Sequence, residues 1–108
     1  IMDEILDLVC LHYNVPLESV KGRGRYMEIV EARHVSQYLM YNKGFSYPQI
    51  ARFFGQDHTT VMHSRKKIQG FIDTNQISIK LIENRVNALK FRTPQRIYHY
   101  EYELPYAL

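Results

Sequence analysis

Ser46-Tyr47-Pro48-Gln49-Ile50-Ala51-Arg52-Phe53-Phe54-Gly55-Gln56-Asp57-His58-Thr59-Thr60-Val61-Met62-His63-Ser64-Arg65-Lys66-Lys67-Ile68 decides the fold, because it reads as two helices turned about one glycine. Ser46 stands as N-cap and Gln49, three residues on, completes a capping box. Pro48 falls in the first turn, where a missing N–H is tolerated. Gly55 breaks this short helix after Phe53-Phe54. Asp57 can cap the next helix, which the pattern predicts from His58 to about Asp73 with Val61, Ile68 and Ile72 pointing inward. Two helices about a tight glycine turn make a helix-turn-helix candidate, although helical hairpins also occur in domains that never touch DNA.

At about 100° per residue, the sector opposite Val61, Ile68 and Ile72 collects Thr59, His63, Lys66 and Gly70, with Thr60 and Lys67 at its edge. Hydroxyl and imidazole groups come early and ammonium groups later. A recognition helix needs that order, since its N-terminal end enters the major groove while later cations reach flanking phosphates. A plain solvated face has the same composition, and this helix alone does not choose between the two.

Upstream, Glu28 to Lys43 is helical, with Ile29, Ala32, Val35, Leu39 and Met40 on one face and Gly44 where a C-cap glycine is expected. Before it, Lys21-Gly22-Arg23-Gly24-Arg25 is a loop with three cations. A first helix starts at the acidic Asp3-Glu4 and carries Ile5, Leu6, Leu8, Val9 and Tyr13; Pro16 stops it and opens a short helix to Val20. Downstream, a final helix is predicted from Gln76 to Lys90 through Ile79, Ile82, Val86 and Leu89. Residues 91–108 differ: between Pro94 and Pro105, Tyr98, Tyr100 and Tyr102 alternate at the period of a strand. The expectation is all-α, a helix-turn-helix bundle of five to six helices over residues 1–90, followed by a non-helical, tyrosine-rich extension at 91–108. That extension either pairs with a second copy or folds back over the helical body.

Composition sets the outer bounds. With 108 residues and 45% apolar content the chain forms one globular domain. Its single cysteine, Cys10, excludes a disulfide framework or thiolate cluster and reads as a small buried hydrophobe. No apolar run nears the roughly 20 residues that span a bilayer, and the start shows no basic signal region, so a cytoplasmic protein without membrane contact is expected. The 14 basic against 11 acidic residues leave a mild +3. His58 and His63 lie five apart, about 140° on a helix, and His12, His34 and His99 are dispersed, so no metal site is expected. No nucleophile has a base at a recognisable spacing, and no Gly-x-x-x-x-Gly-Lys-Ser/Thr loop is present for a nucleotide. No catalytic residue and no cofactor are expected; the chain reads as a binding module, not an enzyme.

The run Phe54-Gly55-Gln56-Asp57-His58-Thr59-Thr60-Val61, followed by His63 and Arg65-Lys66-Lys67-Ile68, strongly resembles the signature of the C-terminal DNA-binding domain of the DnaA family, the bacterial initiators of chromosome replication. The resemblance runs upstream through Ser46-Tyr47-Pro48-Gln49-Ile50-Ala51, Ala32-Arg33-His34-Val35 and the loop ending at Arg25. It begins near Leu8 and fades after Leu89. It implies sequence-specific binding of double-stranded DNA of the origin-box type. Asp57, His58 and Thr59 match the positions that read bases in the major groove, and Thr60, His63 and Lys67 those that hold phosphates, with Lys66 at another basic position. Arg25 matches the arginine that enters the neighbouring minor groove, with Arg23 beside it. Arg33, His34, Tyr47 and Pro48 match further phosphate contacts. The chemistry suits these roles. Thr59 offers a methyl group to thymine, Asp57 accepts from cytosine, and His58 donates to a purine or to thymine O4. Arginines on a glycine loop suit a narrow A·T-rich minor groove. Asp57 has a second reading, as a helix cap.

The chain also departs from the family pattern. Gly55-Gln56 is one residue shorter than the usual glycine pair plus base, Tyr41 replaces a commonly basic position, the loop is less densely basic, and the tail has no counterpart. Two origins are therefore open, the end of an initiator or a free-standing protein of a phage or mobile element. The rival from another class is a protein-interaction module on the same scaffold with altered or lost DNA specificity.

Overall fold

Six α-helices follow one another in the computed structural model, which describes residues 1–89: α1 (Met2–Tyr13), α2 (Leu17–Lys21), α3 (Met27–Asn42), α4 (Tyr47–Phe54), α5 (His58–Asp73) and α6 (Lys80–Asn87). No strand occurs among the described residues, so the all-helical expectation holds. The tyrosine-rich extension expected at 91–108 lies outside them.

The bundle is organised around α3, which packs against α1 and α2 as well as α4 and α5. Its apolar face is the expected one, with Ile29, Ala32, Val35, Leu39 and Met40 all buried. Burial extends further, to Ser36, Gln37 and Tyr38, because neighbours close on several sides of the helix. Ser36 settles its hydroxyl on the Ala32 carbonyl at 2.8 Å, the local bond that lets serine sit inside a helix. The core continues through Ile5, Leu6 and Val9 of α1, Ile50 of α4, Val61 and Ile68 of α5, and Ile82 and Val86 of α6, which packs on α1. Cys10 is buried, as expected of a small hydrophobe.

Helix ends follow local chemistry. α1 begins with Asp3 and Glu4 at its positive end and closes on Asn14 in the left-handed region, φ 54°. Pro16 takes the N-cap position of α2. Gly44, φ 104°, follows the last turn of α3. Ser46 and Gln49 form the expected capping box of α4: the Gln49 N–H donates to Ser46 Oγ at 2.9 Å and the Ser46 N–H to Gln49 Oε1 at 2.8 Å.

Three expectations are corrected. The last helix spans Lys80–Asn87, not Gln76–Lys90. Asn75 turns left-handed at φ 59° and the Gln76 N–H donates back to the Phe71 carbonyl, which closes α5; Ile77, Ser78 and Ile79 then favour the helix too weakly to restart it at once. Asp57 occupies the N-cap position of α5 but makes no side-chain cap bond. Ile72 is only partly buried, and the polar Ser64 takes an interior place beside Val61 and Ile68, its hydroxyl donating to the Thr60 carbonyl.

Gly55 and Gly70 separate backbone conformation from packing, because a Cβ at either would meet no atom within 4 Å. Gly55 has φ 65°, so Gly55→Ala is expected to cost about 1 kcal/mol. Gly70 lies inside α5, so Gly70→Ala is expected to add about 1 kcal/mol. Urea unfolding of the two variants should show shifts of opposite sign.

Candidate nucleic-acid interface

The α4–α5 turn is tight and anchored. Gly55 takes the left-handed conformation, and the Gln56 N–H reaches back to the Ala51 carbonyl at 2.8 Å. Gln37 Nε2 donates to Gln56 Oε1 at 2.8 Å, tying the turn to the buried face of α3. The Gln56 side chain thus serves the scaffold at this turn.

Beyond the turn, α5 opens outward. Asp57 and Thr60 are exposed at its start, His58 and Thr59 are half-buried, and His63, Lys66 and Lys67 are exposed along the helix. The Asp57 carboxylate, 70% exposed, lies 3.8 Å from His58 Nδ1. With no cap bond to hold it, that carboxylate is available to a partner. His58 and Thr59 are not part of the hydrophobic core.

The basic loop meets this helix. Arg23 and Arg25 are exposed and, with Gly55, Gln56, Asp57 and Thr60, line an open groove of about 690 Å³. Arg33 holds the loop there: Nε donates to the Val20 carbonyl at 2.7 Å, and one terminal nitrogen donates to the carbonyls of Ser19 at 2.9 Å and Gly24 at 3.0 Å. Arg33 is therefore a buried clamp, with one terminal nitrogen beyond these bonds. Gly24 permits the close approach; a Cβ there would come within 2.7 Å of an Ile29 methyl and 3.1 Å of the Ser19 carbonyl oxygen.

His34 sits one residue on, half-buried in a second cleft with Arg25, Met27, Lys67 and Phe71. Burial first, then the positive charges of Lys67 and Arg33, lower its pKa to about 4. Its imidazole is thus neutral near pH 7 and can donate one hydrogen bond without carrying charge. Tyr47 is buried, its ring stacked on Tyr41 at 4.3 Å with planes 9° apart, while Pro48 is partly exposed. At this end the exposed surface is the first turn of α4 at Pro48, not the Tyr47 ring.

Two groups had no role in the sequence reading. Gln37 carried no signal, since a polar residue inside a helix reads as solvent-facing. Arg65, within the quoted run, lies with its guanidinium carbon 4.7 Å from the Tyr41 ring centroid. Its seven-residue spacing from His58 places both on one flank of α5. Among the described residues, no group of three or more His, Cys, Asp and Glu side chains could hold a metal, and no helix is long and apolar enough to cross a membrane.

A capped helix, a left-handed glycine and a second helix with polar residues facing outward, with a cationic loop beside its start, define a helix-turn-helix. The family described as the bacterial DnaA protein helix-turn-helix matches residues 2–68, and the chain belongs to it. The chromosomal replication initiator protein DnaA of Deinococcus deserti is 43% identical over 68 residues, covering 62% of this chain and 15% of the relative. Those of Enterococcus faecalis and Bacteroides fragilis are 38% and 32% identical over 90 and 93 residues, covering 79% and 84% of this chain and 20% of each relative. The chain thus spans one fifth or less of the length of these relatives.

The lowered pKa of His34 predicts an acid dependence of stability. The unfolded chain gains this proton near the ordinary pKa of 6.5, the folded one only near 4. Stability is therefore retained above 6.5 and falls between 6.5 and 4, by at most about 1 kcal/mol per pH unit because solvent screens this half-buried group. His34→Gln should flatten that part of the profile in urea unfolding measured from pH 7 to pH 4.

Proposed function

We propose that this chain reads a specific double-stranded DNA site of the origin-box type, as a binding module of an initiator of chromosome replication. The observation that carries the reading is the pairing of the outward start of α5 with the clamped loop of Arg23 and Arg25. A helix tip carrying short polar groups fits the major groove, and arginines on a glycine loop fit the adjacent minor groove.

In this reading Asp57, His58 and Thr59 meet base edges and Arg25 enters the minor groove, with Arg23 close to it. Thr60, His63, Lys66 and Lys67 hold phosphates along α5. His34 donates as a neutral imidazole, the first turn of α4 at Tyr47 and Pro48 receives a further phosphate, and Arg33 acts chiefly by fixing the loop. Good base contacts discriminate by about 1–3 kcal/mol each, whereas phosphate contacts set affinity and its salt dependence without choosing sequence.

The two sets of residues separate by experiment. Duplexes selected from a random pool should share one site. His58→Ala or Thr59→Ala should flatten that preference and leave the salt slope unchanged. Lys67→Ala should weaken all duplexes alike and lower the slope of log affinity against log salt by about one unit. A wild-type slope near zero would overturn the reading in favour of a protein-interaction module on this scaffold.

A further inference from the structure

Two flanks border the outward face of α5. One carries Thr60, Lys67 and Phe71 and faces the basic loop and the first half of α3. The other carries Arg65 and Gln69 and faces the end of α3, where Gln69 receives the Tyr38 hydroxyl at 3.1 Å and Arg65 lies over Tyr41. Tyr41 stacks in turn on Tyr47, the first residue of α4. The arginines of the loop and Lys67 serve the first flank, and Arg65 supplies a cation to the second.

Arg65 is held unlike an internal structural arginine. Arg33, which is one, gives its hydrogens to three carbonyls. Arg65 Nε is buried without a hydrogen-bond partner, and among the described residues no carboxylate lies within ion-pair distance of its guanidinium. What positions the cation is the face of Tyr41, itself braced by Tyr47. Stacking on a ring restricts the planar fork while leaving its outer N–H groups to a further acceptor.

The dimensions of the groove name that acceptor. The major groove is about 12 Å wide and an α-helix with its side chains fills about 10–12 Å. A helix seated there has the phosphates of one strand along one flank and those of the other strand along the opposite flank. We propose that Arg65 binds a backbone phosphate of the strand opposite the one that Lys67 meets, next to the first turn of α4. This rests on the DNA-binding reading and adds a contact to it.

The test uses the protein on a mixed-sequence duplex, because phosphate contacts are independent of sequence. Anisotropy titrations over a salt series compare wild type, Arg65→Gln, Lys67→Ala and Tyr41→Leu, with circular dichroism reporting the fold. Arg65→Gln should lower the salt slope by about one unit, and this loss should add to that of Lys67→Ala. Tyr41→Leu removes the platform and keeps the charge, so affinity should fall several-fold with the slope retained. Ethylation interference should show Arg65→Gln losing a phosphate on the strand opposite the one lost with Lys67→Ala. If Gln costs the fold, Arg65→Met, which keeps an apolar stem over Tyr41, takes its place.

An unchanged slope and interference pattern in the folded Arg65 variant, with lowered thermal stability alone, would make Arg65 a packing residue and overturn the proposal. A phosphate lost on the same strand as with Lys67→Ala would overturn it as well. A wild-type slope near zero would instead remove the DNA-binding reading, and this contact with it.

Discussion

One guanidinium sets the geometry of the candidate interface. Arg33 projects from the most enclosed helix of the bundle, and its three hydrogen bonds fix carbonyls just before and within the glycine-containing loop. Hydrogen bonds from a charged donor contribute about 1.5–3 kcal/mol each, and a buried carbonyl without a donor is costly. The loop therefore has a strong reason to keep one shape. A loop with two glycines would otherwise sample many conformations, and Arg23 and Arg25 would reach the groove only part of the time. Burial of one arginine preorganises two others.

The same division recurs across the site. Side chains that would meet nucleic acid lie along α5, on the loop of Arg23 and Arg25 and at His34, and a second set behind them holds backbone in place. Gln37 steadies the turn, Ser46 and Gln49 fix the entry of α4, and Tyr41 and Tyr47 brace its first turn. A binding surface that is rigid before contact loses less conformational freedom on contact, which favours discrimination between closely similar partners.

Much of this was legible in the sequence wherever the signal was local. The capping box at Ser46 and Gln49, the glycine break at Gly55 and the apolar spacing of Val61 and Ile68 each depend on residues within a turn or two, and those elements match the structure. The outward array from Thr59 to Lys67 followed from the same spacing. Contacts between distant segments left no such trace. Nothing near Arg33 indicates that its partners are carbonyls 9 to 14 residues earlier, so it read as a surface contact. Ser36, Gln37 and Ser64 are polar and buried, and a hydrophobic pattern assigns such residues to solvent. The late start of α6 turned on the left-handed conformation of Asn75, and the outward carboxylate of Asp57 on a rotamer. Neither is encoded in periodicity.

The Gln37–Gln56 bond has a consequence for how this turn can vary among kindred chains. Gln37 is fully enclosed, and its Oε1 already lacks a donor among the described residues. Were position 56 to become alanine, Gln37 would lose the acceptor for its amide hydrogens as well, leaving both ends of the group unpaired in an enclosed site. Loss of the oxygen at position 56 is thus coupled to the helix residue beneath it, and an apolar residue at 37 would relieve the penalty.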